Sequence, residues 1–463
     1  MASYSSNWDC TYQDVPLLAF AIALCQSFRK DMPIVIKTLL SLGAPVNNIP
    51  PAFYSPLHQD IPDAGVPESD VDNVVPNKTA WYTAALAQRF AQALNFSFTV
   101  QYVLHLASRA ERLSAANKKL ARVHKASALL GIRYFLVCQT MASRLLTQRF
   151  LTYLAMPIKQ PLIMFFAGPS GHGKTELARS MGQLLLLDLE AVDCTNLKHE
   201  TDLFGPFFPF AGADEGSAVN NYLASHNAQR GIVFMDEFEK TKDDVCRALL
   251  VPFQNGEYRD HRNLSQLDCS KTIWILATNA FDQTVLNFCD KKRDILFGEH
   301  STKENEETIR KLRRQLSRLI QKESIGGFGV PLTGRMTDFI PFLPFSPLEQ
   351  AAVADKYLAG LGRKLTKRMD TREEPFRCRP VGNTDLHIKR GYSVCKALAK
   401  EGYDQELGAR SIKKAIADEV RLPLLDQYLA SKEESSEDQP ADKFLVGVDA
   451  ELGLVEVSQF ALE

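Results

Sequence analysis

The chain has 463 residues, enough for two or three domains that each bury a core. Hydrophobic residues make up 45% and charged residues 24%, the balance of an ordinary globular protein. Lys and Arg number 54 against 55 Asp and Glu, and this net charge of -1 argues against a general nucleic-acid binder, which needs a basic surplus or stripe.

In chain order, the apolar run from Val15 to Cys25 is too short to span a bilayer and has no Lys or Arg before it, unlike a signal peptide. The first forty residues also lack the Arg-rich character of a mitochondrial presequence, so a cytoplasmic protein without a membrane partner is expected, with a mitochondrial or nuclear one as the alternative. Residues 14 to 48 read as two short apolar helices, the second closed by Gly43 and followed by a Val46-Asn47 turn. They resemble one ankyrin repeat, with Ser55-Pro-Leu-His58 as the start of a second; an ordinary helical hairpin is the alternative. Residues 59 to 77 form a Pro- and Asp-rich loop. Residues 79 to 122 are expected to be helical throughout, ending in the basic Asn117–Arg122, which reads as a solvated face.

From about residue 124 to 345 short apolar runs alternate with helical segments. The runs Pro161–Ala167, Gly231–Met235 and Thr272–Ala277 are continuous hydrophobic strands, the mark of a parallel sheet covered on both faces. Thr308 to Ile320 reads as an amphipathic surface helix, with Leu312, Leu316, Leu319 and Ile320 on one side. Residues 346 to 432 are mostly helical, and an acidic turn at 433–440 precedes a final hairpin from Phe444 to Val457. The nine cysteines are scattered without a C-x-x-C pair or zinc spacing, and read as buried apolar groups in a reducing compartment.

Two segments carry chemistry. Gly168-Pro169-Ser170-Gly171-His172-Gly173-Lys174-Thr175 satisfies G-x-x-x-x-G-K-[ST], with a strand before it and a helix after it. Its glycines let the backbone fold tightly so that N–H groups and the helix start meet phosphate oxygens. Lys174 supplies a cation to the β/γ phosphates of ATP, and the Thr175 hydroxyl is placed to ligate Mg²⁺. Some sixty residues later, Ile232-Val-Phe-Met-Asp236-Glu237 is a buried strand ending in two acids at the sheet edge that faces the phosphate loop. Asp236 can hold the metal shell, and Glu237 can polarise the attacking water.

These residues resemble the Clp group of AAA+ ATPases, the heat-shock disaggregases and unfoldases, and their second ATPase module in particular. Gly168–Ala178, including Glu176, is similar to the group's G-x-[ST]-G-x-G-K-T-E-L-A, and Asp236-Glu-Phe-Glu-Lys240 to its D-E-[IF]-E-K. Leu129-Leu-Gly131-Ile-Arg resembles an Ile-Gly-Gln box without its Gln. The resemblance covers roughly residues 124 to 430. It implies an α/β P-loop sheet covered by helices at 123–345, a small helical lid domain with a terminal hairpin at 346–463, and an N-terminal helical, ankyrin-like region at 1–122.

By the same resemblance, Asn279 orients the attacking water, Arg335 of Phe328-Gly-Val-Pro-Leu-Thr-Gly-Arg335 reaches a neighbouring subunit's ATP, and Arg410 of Gly408-Ala-Arg410 contacts the γ-phosphate. The Glu and Asn usual before Arg335 are absent. Leu203–Gly216 resembles a polypeptide-gripping pore loop in which Phe210 stands for the usual tyrosine; a buried cluster of Phe204, Phe207 and Phe208 is the alternative. Arg259-Asp-His-Arg262 occupies the place of a second pore loop. Ser324-Ile-Gly-Gly-Phe328 echoes a peptidase-docking tripeptide but overlaps the Arg335 motif, and docking is not expected. The implied activity is that of an ATP-driven unfoldase or disaggregase, a homo-oligomeric and hexameric ring acting on unfolded polypeptide. An ATP-gated adaptor is the alternative, and a nucleic-acid remodeller is disfavoured.

Overall fold

The computed structural model describes residues 11–12, 15–24, 32–55, 57–62, 65–66, 81–110, 114–124, 126–136, 139–156, 160–297, 303–365, 384–432, 442–449 and 451–459. The expected acidic turn at 433–440, most of the loop at 59–77, and Cys10, Cys25, Cys138 and Cys378 lie outside these residues. Contacts divide the chain into two units, one of residues 1–112 with 345–463 and one of 113–344. No helix among the described residues is long and apolar enough to cross a membrane.

In the first unit a short antiparallel pair, Thr11–Tyr12 with Val15–Pro16, precedes two helices, α1 (Leu17–Ala23) and α2 (Met32–Leu42). The latter buries Met32, Ile36 and Leu40, a four-residue spacing that lines one helical face. Gly43 ends α2 with φ +101, where its N–H reaches the Leu40 carbonyl. Both helices expected over residues 14 to 48 are present. No second helix pair starts at Ser55 among the described residues, since 57–62 run as turns and irregular chain. The expected continuous helix at 79–122 is broken. Helix α3 (Ala84–Phe96), capped by Thr83, meets α4 (Phe98–Ser108) at Ser97, and a separate helix follows at Ala115–Val123.

The second unit is built on a parallel sheet. Its strands are β1 (Leu162–Ala167), β2 (Leu189–Asp193), β3 (Gly231–Asp236), β4 (Thr272–Thr278) and β5 (Asp338–Pro341), in the order β2-β3-β4-β1-β5. Alternate residues of each central strand enter two different cores. Ile163, Phe165, Val233, Met235, Trp274 and Leu276 pack on one face. Leu162, Met164, Phe166, Phe234 and Ile275 pack on the other, under α5 (Thr140–Ala155) and α6 (Lys174–Leu185). Burial on both sides is why these three strands read as unbroken apolar runs. The register sets Ala167 beside Thr278 and Asp193 beside Asp236, so the ends of β1, β3 and β4 converge at one edge.

Beyond the sheet, α7 (Asp282–Lys291) follows β4, and α8 (Lys303–Thr333) precedes β5. Helix α8 turns on Gly329, φ +77, where an L side chain is disfavoured, so Gly329 and Pro331 interrupt an otherwise helical run. Leu312, Leu316 and Ile320 are buried as expected, but Leu319 is exposed, because only the first three share the stripe that meets the core.

The C-terminal part of the first unit contains α9 (Pro347–Leu365), α10 (Gly391–Gly402), α11 (Ala409–Ile416) and α12 (Leu422–Lys432). A three-stranded sheet joins β6 (Thr384–Ile388), β7 (Asp442–Val448) and β8 (Val455–Gln459); β7 and β8 are the expected hairpin. This part shares polar joints with the N-terminal helices. Asp355 of α9 accepts from the Ser97 hydroxyl at 3.0 Å and the Thr99 N–H at 2.8 Å, serving the start of α4. Asp60 accepts from the N–H groups of Tyr392 and Ser393 at 3.1 and 3.3 Å, serving the start of α10 in the same way. Gly391 is required at this contact, because a Cβ there would lie 2.5 Å from the Asn95 carbonyl oxygen.

Candidate active site

The phosphate loop leaves β1 at Gly168, whose φ is +146. A Cβ at that position would sit 2.2 Å from the Phe342 carbonyl oxygen, which follows β5, so only glycine fits. Gly171 and Gly173 also adopt positive φ, and α6 starts at Lys174. Glycine freedom therefore turns the chain from a buried strand directly into a helix whose first amides have no partners within the helix.

Side chains of the loop divide into two groups. His172 is 1% exposed, and its Nδ1 lies 2.8 Å from the Ser170 carbonyl oxygen. Burial, with Lys174 nearby, outweighs these backbone bonds and lowers its pKa to about 4, so the ring is neutral. What His172 can offer a ligand is its backbone amide. Pro169 is buried, and Glu176 is exposed on the first turn of α6. Lys174 is 6% exposed and donates to the Gly168 carbonyl, to the Pro169 carbonyl at 2.9 Å and to Asn279 Oδ1 at 2.7 Å. Burial lowers the Lys174 ammonium to about 8, opposed by the charges of Asp282, Glu239, Asp236 and Glu237.

The strand ends supply the rest. Thr175 Oγ1 donates to Asp236 Oδ2 at 3.0 Å. Glu237 takes a left-handed conformation, φ 53 and ψ 42, in which its N–H reaches Asp236 Oδ1 at 3.1 Å. Asn279, just past β4, donates its amide to both Glu237 carboxylate oxygens at 3.1 Å and to Glu239 Oε1 at 3.3 Å. Burial, reinforced by Glu239 and Asp236, raises the Glu237 pKa, which suits a group that takes up a proton. Lys174, Thr175, Asp236, Glu237 and Asn279 thus form one cluster.

Two acids of this cluster were not singled out from sequence. Glu239 has a buried carboxylate oxygen without a hydrogen-bond partner, and so does Asp282 at the first position of α7. Burial pushes the Asp282 carboxyl up to about 6 against the pull of Lys174. Its place three residues after Asn279 is the only signal the sequence held. Thr175 and Asp236 offer a hydroxyl and a carboxylate, the hard oxygen ligands that Mg²⁺ takes alongside nucleotide phosphates. Among the described residues no group of three or more His, Cys, Asp or Glu forms an all-protein metal site.

The remaining expected residues belong to other elements. Arg335 follows the end of α8, and its guanidinium donates to the Pro331 carbonyl and the Gln254 side chain, with a buried Nε that has no partner. Arg410 is exposed at the second position of α11, in the other unit. Phe210 is 71% exposed and Phe208 is 57% exposed, whereas Phe204 is buried. The alternative reading, a buried cluster of Phe204, Phe207 and Phe208, gives way to a different brace: Phe207 stacks on His261 with centroids 3.5 Å apart.

That brace changes the reading of Arg259–Arg262. His261 is buried, with Nδ1 2.7 Å from the Gly205 oxygen, and its carbonyl accepts the Phe208 N–H at 2.8 Å. Asp260 is buried as well; burial would raise its pKa, but hydrogen bonds from Arg262 and Asn220 hold it down at about 2. Of the two central residues of the expected second loop, His261 thus braces the Phe210 loop, while Asp260 ties Arg262 to Asn220. Phe328 packs against Phe165 and Phe238 at 5.6 and 5.2 Å, which removes it from any docking tripeptide.

Comparison with known proteins matches residues 160–328 to the AAA domain (Cdc48 subfamily) and residues 382–439 to the C-terminal, D2-small domain of ClpB protein. The chain is 26% identical over 279 residues to the chaperone protein ClpB of Aquifex aeolicus, covering 58% of this chain and 25% of the relative. It is 25% identical over 290 residues to the ATP-dependent protease ATP-binding subunit-like protein AmiB of Pseudomonas aeruginosa, covering 60% and 71%. It thus spans about a quarter of the length of the ClpB relatives. A closed-state cryo-EM reconstruction of Hsp104 with ATPyS and FITC casein matches its fold with a TM-score of 0.52 at 18% identity, covering 96% of this chain and 68% of that one.

Proposed function

The chain is a Clp-type AAA+ ATPase, and from that premise we propose that it hydrolyses ATP and uses the cycle to pull unfolded polypeptide through a homo-oligomeric, hexameric ring. The observation that carries the hydrolytic half is the Asn279 bridge between Lys174 and Glu237, set beside the Thr175–Asp236 pair. Phosphates entering the loop replace the Gly168 and Pro169 carbonyls as partners of Lys174. Thr175 and Asp236 would hold Mg²⁺, which when bound supplies positive charge beside the phosphates. Asn279 orients the Glu237 carboxylate, which accepts the proton of the water that attacks the γ-phosphate.

The polypeptide half is supported by the exposed Phe210 on a loop braced by His261, since an aromatic face contacts most side chains without geometric demand. Casein in the Hsp104 reconstruction is consistent with a polypeptide ligand. In a ring, Arg335 would leave Gln254 and meet a neighbour's ATP, and Arg410 would meet the γ-phosphate. Glu237→Gln tests this function: it should bind ATP, form a stable ring by light scattering and retain a labelled unfolded protein, while wild type releases it. Wild-type protein that hydrolyses ATP and never unfolds a tagged substrate would instead support an ATP-gated adaptor, a reading favoured by the hold of Gln254 on Arg335 within one chain.

A further inference from the structure

The Asn279 amide is held from two sides. On the oxygen side, Oδ1 accepts from the Lys174 ammonium at 2.7 Å. On the nitrogen side, Nδ2 donates to both Glu237 oxygens at 3.1 Å and to Glu239 Oε1 at 3.3 Å. An amide nitrogen carries two N–H groups, so two carboxylates can take both of them. Turned over, the amide would set its oxygen against two acids and its nitrogen against an ammonium. Only one orientation fits.

The fold presents Glu239 for this contact. It sits in the turn Phe238–Lys240 directly after β3, and β3 lies beside β4, the strand that ends before Asn279. Phe238 is fully buried and packs on Phe165 and Phe328, while its carbonyl accepts the Thr241 hydroxyl at 2.6 Å. The Lys240 N–H closes the turn on the Glu237 carbonyl at 2.9 Å. The second Glu239 oxygen, Oε2, is buried with no hydrogen-bond partner among the described residues. Burying such an oxygen unpaired costs stability, so folding alone does not explain an acid here.

The two sides of the amide respond differently to nucleotide. The three N–H groups of Lys174 go to the Gly168 and Pro169 carbonyls and to Asn279. Phosphates drawn to that ammonium compete with each of these acceptors, so they loosen the oxygen-side hold on Asn279. Glu237, on the nitrogen side, has to meet the attacking water. Glu239 has neither task.

We propose that Glu239 is a positioning residue for ATP hydrolysis: it anchors the Asn279 amide from the nitrogen side, keeping it on Glu237 while phosphates draw on Lys174. The proposal rests on reading Glu237 as the proton acceptor of a nucleotide site. An acid that serves only the fold predicts lost stability with normal turnover. An anchor predicts lost turnover with normal nucleotide affinity.

The test uses the full-length protein, steady-state ATP hydrolysis and equilibrium binding of fluorescent ADP. In Glu239→Ala, kcat should fall about 10-fold while the Kd for ADP changes less than about threefold. Glu239→Gln keeps an oxygen for the same N–H and should recover most of the turnover. Because Glu239 acts through Asn279, adding Glu239→Ala to Asn279→Ala should lower kcat by no more than about twofold further. Glu239→Ser replaces the alanine variant should that one fold poorly. Turnover of the folded alanine or serine variant within about twofold of wild type overturns the anchor. So do multiplicative losses in the double variant, or a Gln variant as slow as the alanine one. Wild type that hydrolyses ATP no faster than Lys174→Ala overturns the underlying nucleotide-site reading instead.

Discussion

Asn279 donates its amide to both carboxylate oxygens of Glu237 at 3.1 Å, while its own oxygen accepts from Lys174 at 2.7 Å. One side chain therefore fixes the orientation of the proton acceptor and the resting place of the phosphate lysine. Asn279→Ala releases Glu237 without removing it. The kcat for ATP should drop by about 100-fold, the low end of what a positioned base supplies, with nucleotide affinity changed less than about threefold. Steady-state hydrolysis beside equilibrium ADP binding checks this, and an equal loss in both would show that Asn279 mainly serves binding.

Gly168 and Phe342 set the entrance of the phosphate loop. With φ at +146 and only 2.2 Å between a virtual Cβ and the Phe342 oxygen, Gly168→Ala must displace either the loop or the residue after β5. A loss of about 2–4 kcal/mol in urea unfolding is expected, from backbone strain and a lost close contact together. Binding of ADP should vanish in the same variant.

The phosphate loop and the carboxylate pair were readable because both sit at the ends of strands buried on two faces, which leave continuous apolar text. The edge strands were not. Leu189-Glu-Ala-Val-Asp193 is half exposed and has no such run, and Asp338-Phe-Ile-Pro341 is four residues long and ends in a proline. Strand β6, Thr384-Asp-Leu-His-Ile388, alternates and pairs with residues nearly sixty positions away, a partner that local periodicity does not reveal. Asp282 escaped notice for a related reason: an acid at the start of a helix is ordinary locally, and only the fold brings it to Lys174.

Asp355 ties α9 to the start of α4 from a fully buried position, and burial outweighs its hydrogen bonds from Thr99 and Ser97 to raise its pKa. The folded chain thus keeps a proton that the unfolded chain has released. Its contribution to stability is fullest below the unfolded value of about 3.9 and declines as pH rises through the raised folded value. Asp355→Asn keeps a polar partner for both groups and removes the titration. As pH rises above about 4, the difference in unfolding free energy between variant and wild type should shift in favour of the variant. Urea melts at several pH values measure it, and parallel curves would assign the titration elsewhere.

The stack of Phe207 on His261 and the bond of His261 to Gly205 hold the base of the loop that presents Phe208 and Phe210. His261→Ala removes both contacts, at a cost of about 1–3 kcal/mol. Because the phosphate cluster contains no atom of this brace, ATP hydrolysis should persist while limited proteolysis within 205–216 accelerates. Phe210→Ala is the complementary variant, with unchanged proteolysis, unchanged hydrolysis and lost unfolding of a tagged protein.

Phe328 decides between two roles for the segment Ser324–Phe328. Its ring contacts Phe165, Phe238 and Phe281, so it is an anchor of the sheet's core at the end of α8, next to the turn on Gly329 that leads to Arg335. Ile325, by contrast, is exposed. A docking segment would lose peptidase binding on replacement of either residue and keep its fold. A core anchor behaves differently: Phe328→Ala should cost about 2–4 kcal/mol, as a large-to-small change in packed surroundings does, and Ile325→Ala should cost under about 0.5 kcal/mol. The turn after Phe328 carries that strain toward Arg335, so ATP hydrolysis by Phe328→Ala should fall well before the protein unfolds. Thermal melts and hydrolysis rates on the two variants separate the roles, and equal, small effects on stability would return Phe328 to the surface.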